Sequence, residues 1–259
     1  MVISQKTLVA SGLCGCISLA TTAQADTAII PYVETGMADY ALEFDGNVPS
    51  PDGSLINTTN KFYFNLATVK LGLAVSFDSF SLNGYYQTTS EDSDVQVSPI
   101  PGLPTVKWDG NRDSMSLAAG YNLSDAFAIS GGYRDSEISG GGSFNSRYSF
   151  IHDGWFLSSS YRLGLTETGG LTFSLGYAWL DAELDETFVG LDLGKNSGDG
   201  SGAKLGVVWQ DFFDSNWGYN VSAEYFNYDY ELDPLAPGSG TIDMKESETT
   251  FRIGLFYMF

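Results

Sequence analysis

The sequence predicts an all-β chain whose strands close into a transmembrane, antiparallel up-and-down β-barrel of about ten strands, eight and twelve being the neighbouring counts. Three observations carry this. The last nine residues alternate, with Phe251, Ile253, Leu255, Tyr257 and Phe259 on one face and Arg252, Gly254, Phe256 and Met258 on the other. A period of two marks a β-strand, and one face of this one is wholly apolar. Nine further segments of the same kind precede it, joined by connections that alternate between short and long. Proline is kept out of all of them. A soluble sandwich ending on a bare apolar strand would aggregate through its edge, whereas a strand that closes a barrel in lipid has no edge and a hydrocarbon solvent.

The chain begins with Lys6 and an apolar run from Thr7 to Ala20, followed by Ala23-Gln24-Ala25. That is the pattern of a secretory signal peptide cleaved between Ala25 and Asp26, leaving residues 26–259 as the barrel domain. The run is too short to span a bilayer as a helix. A lipoprotein signal modified at Cys16, giving a lipid-anchored exported protein, is the competing reading. Both cysteines, Cys14 and Cys16, fall before the cleavage point, so the mature chain has no disulfide and no thiolate metal site. It would keep 11 basic and 32 acidic residues, a net charge of −21. Nucleic acid is excluded as a partner by that charge.

The first strand is read over residues 32–44, with Gly36, Ala38, Tyr40, Leu42 and Phe44 outward and Met37, Asp39 and Glu43 inward. The second covers residues 61–76, with Val69, Leu71, Leu73 and Val75 outward. A turn at Phe77-Asp78-Ser79 leads to the third, with Phe80, Leu82 and Tyr86 outward. The fourth turns Met115, Leu117 and Tyr121 outward, and the fifth Phe127, Ile129 and Tyr133. The sixth, residues 147–164, has Ile151, Trp155, Leu157 and Tyr161 on one side and His152, Ser158, Ser160 and Arg162 on the other. The seventh offers Leu171, Phe173, Leu175, Tyr177 and Trp179, the eighth Leu205, Val207 and Trp209, and the ninth Trp217, Tyr219, Val221 and Tyr225. Stretches 45–60, 88–111, 181–202 and 229–247 are read as long loops, with a shorter one at Gly140-Gly141-Gly142. Pro31 stands before the first strand and the other seven prolines lie in three of the long loops, as a residue that cannot donate to a ladder requires.

Aromatic residues bunch at strand ends, where lipid-interface girdles belong. Phe77, Phe80, Tyr121, Phe127, Trp217 and Phe259 form one, and Tyr40, Tyr86, Tyr133, Trp179 and Tyr225 the other. The inward rows are mostly Gly, Ala, Ser and Thr, with Lys70, Arg134, His152, Arg162, Lys204, Glu224 and Arg252 as candidate lumen-lining residues. Two interiors are compatible with them: charges paired across a plugged lumen, or a narrow water path lined by Arg and Lys. Eight strands are just filled by side chains, so ten favour the plug.

An even strand count, short turns at one end, long loops at the other and a terminal apolar alternation ending on Phe259 resemble the Gram-negative outer-membrane β-barrels. The resemblance covers the mature chain and implies residence in the outer membrane, contact with its lipid and lipopolysaccharide, and recognition of Phe251, Ile253, Leu255, Tyr257 and Phe259 by the assembly machinery. It implies a small passive barrel, either a narrow porin-like channel or a structural or surface-interaction protein, with no cofactor. The oligomeric state is not legible. A soluble exported β protein is the outside alternative. Acidic runs such as Glu91-Asp92-Ser93-Asp94 match no calcium motif, and no metal site is expected. Some small barrels are enzymes, acting on lipid A or on peptides, and need a histidine near the outer leaflet. The one histidine here is His152, whose neighbour Asp153 points to the opposite side, and the Asp-x-His stretch of omptin proteases is missing. No catalytic residue is assigned.

Overall fold

The computed structural model describes residues 7–11, 16–20, 27–49, 55–96, 105–188, 191–234 and 242–259. Among them ten antiparallel strands close into one barrel: β1 (Ala28–Pro49), β2 (Leu55–Phe77), β3 (Phe80–Thr89), β4 (Val106–Asn122), β5 (Phe127–Gly142), β6 (Ser146–Gly164), β7 (Gly170–Phe188), β8 (Leu191–Phe212), β9 (Trp217–Leu232) and β10 (Ile242–Tyr257). An extra short strand, Asp92–Gln96, continues β3 along β4. Each strand pairs with its sequence neighbours, and β10 closes on β1 from Asp243↔Asp45 to Phe256↔Tyr32. The final residue is tied in as well, the Phe259 amide donating to the Ile29 carbonyl at 3.0 Å.

The turns at one end are tight. In the Asp78-Ser79 turn Asp78 adopts φ 52°, a left-handed conformation that Asp tolerates better than most residues. At the other end a single 3₁₀ turn, Ser143–Asn145, joins β5 to β6.

The register fixes the barrel's geometry. Stepping from Asp45 through the cross-strand partners Asp243, Glu231, Asp199, Asp181, Asp153, Asp135, Met115, Tyr86 and Leu71 returns to β1 at Val33. The circuit is displaced by 12 residues, a shear that for ten strands corresponds to a tilt of about 40°. That one register line carries seven carboxylates in succession and then four apolar or aromatic residues. Because it runs perpendicular to tilted strands, it descends from water into hydrocarbon as it circles the barrel.

The same boundary appears on each strand. The outward row changes from apolar to polar between Met37 and Asp39, Tyr133 and Asp135, Trp155 and Asp153, Trp179 and Asp181, Tyr225 and Asp229, and Phe251 and Thr249. Below it the lipid-facing run Leu171–Trp179 spans nine residues, about 27 Å along the strand at ~3.4 Å per residue. That matches the nine to eleven or so residues a transmembrane strand needs. The strands continue well past it: β2 has 23 residues and β1 and β8 have 22 each. In this outer half the inward row turns apolar, as in a soluble barrel. β9 shows the change clearly, with Asn220, Ser222 and Glu224 inside below and Phe226, Tyr228, Tyr230 and Leu232 inside above.

This inversion corrects several sequence expectations. The described parts of stretches 45–60, 88–111, 181–202 and 229–247, read as loops, are largely strand, because their charged residues face water while their alternate positions enter a core. The first strand faces the other way from the expected phase: Ala38, Tyr40 and Leu42 are buried inside, and Met37 and Asp39 lie outside. Glu43 also faces out, paired to Lys61 at 3.1 Å. Tyr40 is therefore no girdle residue; the other ten aromatics of the two girdles are exposed on the outer surface. Pro31 lies within β1, just past Tyr32 where the β10 ladder ends. Prolines 51, 99, 101, 104 and 237 fall outside the described residues.

Thr7–Ser11 and Cys16–Ala20 pair as an antiparallel hairpin. Its first strand approaches β6, β7 and β8 and its second β2, β3 and β4, so it lies within the lumen. The remainder of the expected signal peptide, with the cleavage point, is outside the described residues.

Candidate functional site

The inward side chains meet across the lumen. β4 places Arg112 inside because its neighbours Ser114 and Ser116 continue the same even-numbered face. β10 presents Glu246, Glu248, Thr250 and Arg252 in sequence on its own inner face. The Arg112 guanidinium reaches from β4 to β10 and pairs with Glu248 through Nη1 and with Glu246 through Nη2 at 3.6 Å. Its Nε donates to Ser136 Oγ at 2.9 Å, and its flat face lies over the Phe226 ring, 5.0 Å from the centroid. Every component of this bridge is almost fully enclosed.

Around it the other expected lumen residues take specific partners. His152 is wholly buried with Nε2 3.3 Å from Glu246 Oε2, off the angle of a hydrogen bond, while Tyr230 donates to that same oxygen at 2.7 Å. Arg134 donates to the Tyr228 hydroxyl at 2.6 Å. Arg252 and Lys204 share Glu224, the lysine at 3.3 Å. Lys70 pairs with Glu34 at 3.1 Å, and Asn220 donates to the second Glu34 oxygen at 3.0 Å. Arg162 faces the lumen near the short-turn end. Of the seven expected residues, then, Lys204, Glu224 and Arg252 converge, Arg134 lines a small void with Lys204, and Lys70, His152 and Arg162 form no ion pair with the others.

Glu34, Arg112, Glu246 and Glu248 were missed by the sequence reading. Glu246 lay in a stretch taken for loop, and Glu34 would have required the opposite phase for the first strand. The signal that finds Glu246 and Glu248 is their place on the even-numbered row that ends in Arg252.

Above the charged layer, Tyr40, Leu42, Phe150, Ile138, Leu184, Leu232 and Met244 are essentially inaccessible and form a continuous core. Phe150 packs edge-on against Tyr230 with centroids 5.1 Å apart. Beside Arg134, between Tyr85, Phe156, Lys204 and Tyr228, the free space is about 20 Å³, room for a single water. Paired charges that share donors and acceptors in this way hold an interior shut, since freeing any one leaves another unpaired. His152 and Glu246 could exchange a proton, but no substrate-sized space reaches them among the described residues. No group of three or more candidate metal ligands occurs among those residues either.

On the outside, Phe251, Ile253, Leu255 and Phe259 are exposed and Tyr257 is half-buried, so the terminal apolar row faces lipid along β10.

Comparison with solved structures places this architecture. The outer membrane protease OmpT from Escherichia coli superposes with a TM-score of 0.61 at 14% identity, over 90% of this chain and 97% of that one. OprG from Pseudomonas aeruginosa gives a TM-score of 0.38 at 11% identity, over 91% and 97% of the two chains. The translocator domain of the autotransporter NalP from Neisseria meningitidis gives 0.44 at 10%, over 92% and 90%. No family model matches the chain, and no curated protein matches it. The chain has the fold of the Gram-negative outer-membrane β-barrels.

Proposed function

We propose that this is an exported protein of the bacterial outer membrane, with residues 1–25 its signal peptide and residues 26–259 its barrel, that conducts no solute through its lumen. Its function is structural and surface-directed, exercised by the outer half of the barrel. The observation that carries this is the Arg112 bridge to Glu246 and Glu248, which spans the lumen in the charged layer directly beneath an apolar core. The even lipid-facing band and the apolar terminal row suit contact with outer-membrane lipid and lipopolysaccharide and with the assembly machinery. Above the band, β7 runs on from Asp181 to Phe188, roughly 24 Å along the strand at ~3.4 Å per residue, so the outer end of the strand stands clear of the lipid headgroups. The protein is no enzyme on this reading, His152 being a structural member of the plug.

Single-channel recording of the membrane-purified protein in a planar bilayer tests the proposal. A folded barrel should be silent, and discrete current steps would restore the porin-like reading. His152→Ala should create or remove no protease or lipid-A-modifying activity in whole cells. A loss of such activity in a variant that remains folded would sink the non-enzymatic reading.

A further inference from the structure

One lumen cation near the short-turn end, Arg162, forms no ion pair among the described residues. Arg162 is 6% exposed, its Nη1 makes no hydrogen bond, and no carboxylate among the described residues reaches ion-pair distance of it. The Asp211 carboxylate at the end of β8 stays beyond ion-pair distance, its Oδ1 accepting from Thr168 Oγ1 at 2.6 Å and the Phe212 amide at 2.8 Å. The guanidinium lies over Gly170, where an added Cβ would stand 2.7 Å from Arg162 Nε and 3.3 Å from Nη2. Gly170 is the cross-strand partner of Gln210, so the two side chains flank the same gap from β6 and β8. Gln210 is buried and its Nε2 has no acceptor.

Two buried polar groups without partners, Arg162 Nη1 on β6 and Gln210 Nε2 on β8, stand beside one side-chain-free position and are costly unless something accepts from them. The complement of a guanidinium fork and an amide N–H is an oxyanion.

We propose that Arg162 and Gln210 form an oxyanion-binding site at the short-turn mouth of the lumen, taking the phosphoryl or carboxylate group of a small solute. The amino-terminal hairpin approaches the same wall, β6 to β8. The site is therefore free only if residues 1–25 are removed, which amino-terminal sequencing of the same sample checks separately.

Calorimetric titration of the exported, membrane-purified protein with inorganic phosphate, and in parallel with acetate, at low ionic strength is the test. Saturable binding of either anion is expected, phosphate identifying a phosphoryl ligand and acetate a carboxylate. Arg162→Gln should bind about tenfold more weakly or worse. Arg162→Lys should fall between, since it keeps the charge and loses the fork. Arg147→Gln, at an exposed arginine on β6, should bind like the parent. Heat-modifiable migration on a gel shows that each variant is folded. The proposal is overturned if the folded, processed parent binds neither anion, or if both Arg162→Gln and Arg162→Lys bind as tightly as the parent. Should Arg162→Gln not fold, unchanged affinity in Arg162→Lys overturns it alone.

Discussion

Asp153 and Asp181 are direct cross-strand partners on the outer face of β6 and β7, with Asp135 next to one and Asp199 next to the other. Like charges placed opposite one another destabilise a sheet by up to about 1 kcal/mol per pair. Asp181→Asn, which relieves repulsion on both sides, should therefore raise stability by about 0.5–1 kcal/mol at low ionic strength. The gain should fade near 1 M salt, where the screening length is about 3 Å. Denaturant unfolding of the membrane-inserted barrel at the two salt concentrations measures it, and an undiminished gain in high salt would show that repulsion is not the cause.

Removing Arg112 should be among the most damaging single changes. Arg112→Met leaves Glu246 and Glu248 buried with their bridge gone, a cost of about 3–5 kcal/mol. Arg112→Met combined with Glu248→Gln should recover part of that loss, because fewer charges are then stranded. Equilibrium unfolding of the two variants decides it; a double variant less stable than the single would contradict the pairing.

The height of the membrane boundary can be tested with arginine. Leu175 faces outward in the middle of the apolar band of β7, and Leu175→Arg should cost about 2–4 kcal/mol. Ile151 faces outward on β6 just above Asp153, and Ile151→Arg should change stability by no more than about 0.5 kcal/mol. Comparable costs at both positions would move the boundary.

One pH effect is legible at the short-turn end. Asp214 lies in the β8–β9 turn, where the backbone amides of Trp217 and Asn216 donate to its carboxylate and hold its pKa below the usual carboxylate value. A depressed folded pKa gives stability that is full above the unfolded value, near 3.9, and is lost as pH falls through the folded one. Asp214→Ala should thus lower the urea midpoint at pH 7. The gap between variant and parent should close as pH drops below the carboxylate range, and a pH-independent gap would refute the electrostatic origin.

The lower half of the barrel was readable because lipid outside and small polar residues inside give a clean alternation, as along Leu171–Trp179. Arg162, Lys204 and Arg252 were placed inward for that reason. Reading stopped where the alternation reversed. Glu246 and Glu248 sit in a row whose outward neighbours, Lys245, Ser247 and Thr249, are also polar, so no apolar face marked the strand. On β1 the buried row Ala38, Tyr40, Leu42 looked lipid-facing because its apolar character comes from the core above the membrane. Pairings such as Arg112 with Glu248, 136 positions apart, follow from the shear, which no local pattern reveals.

The reversal also governs how the sequence can drift. Along any one strand, the positions that accept almost any polar residue change parity at the lipid boundary. On β9, even positions such as Ser222 admit polar replacements and odd ones such as Val221 do not, while above Tyr225 the odd Asp229 and Glu231 become permissive and the even Tyr228 and Tyr230 restrictive. A one-residue insertion at that boundary would bring the two patterns into phase and leave one half of the strand facing the wrong solvent. Length there is constrained more tightly than composition.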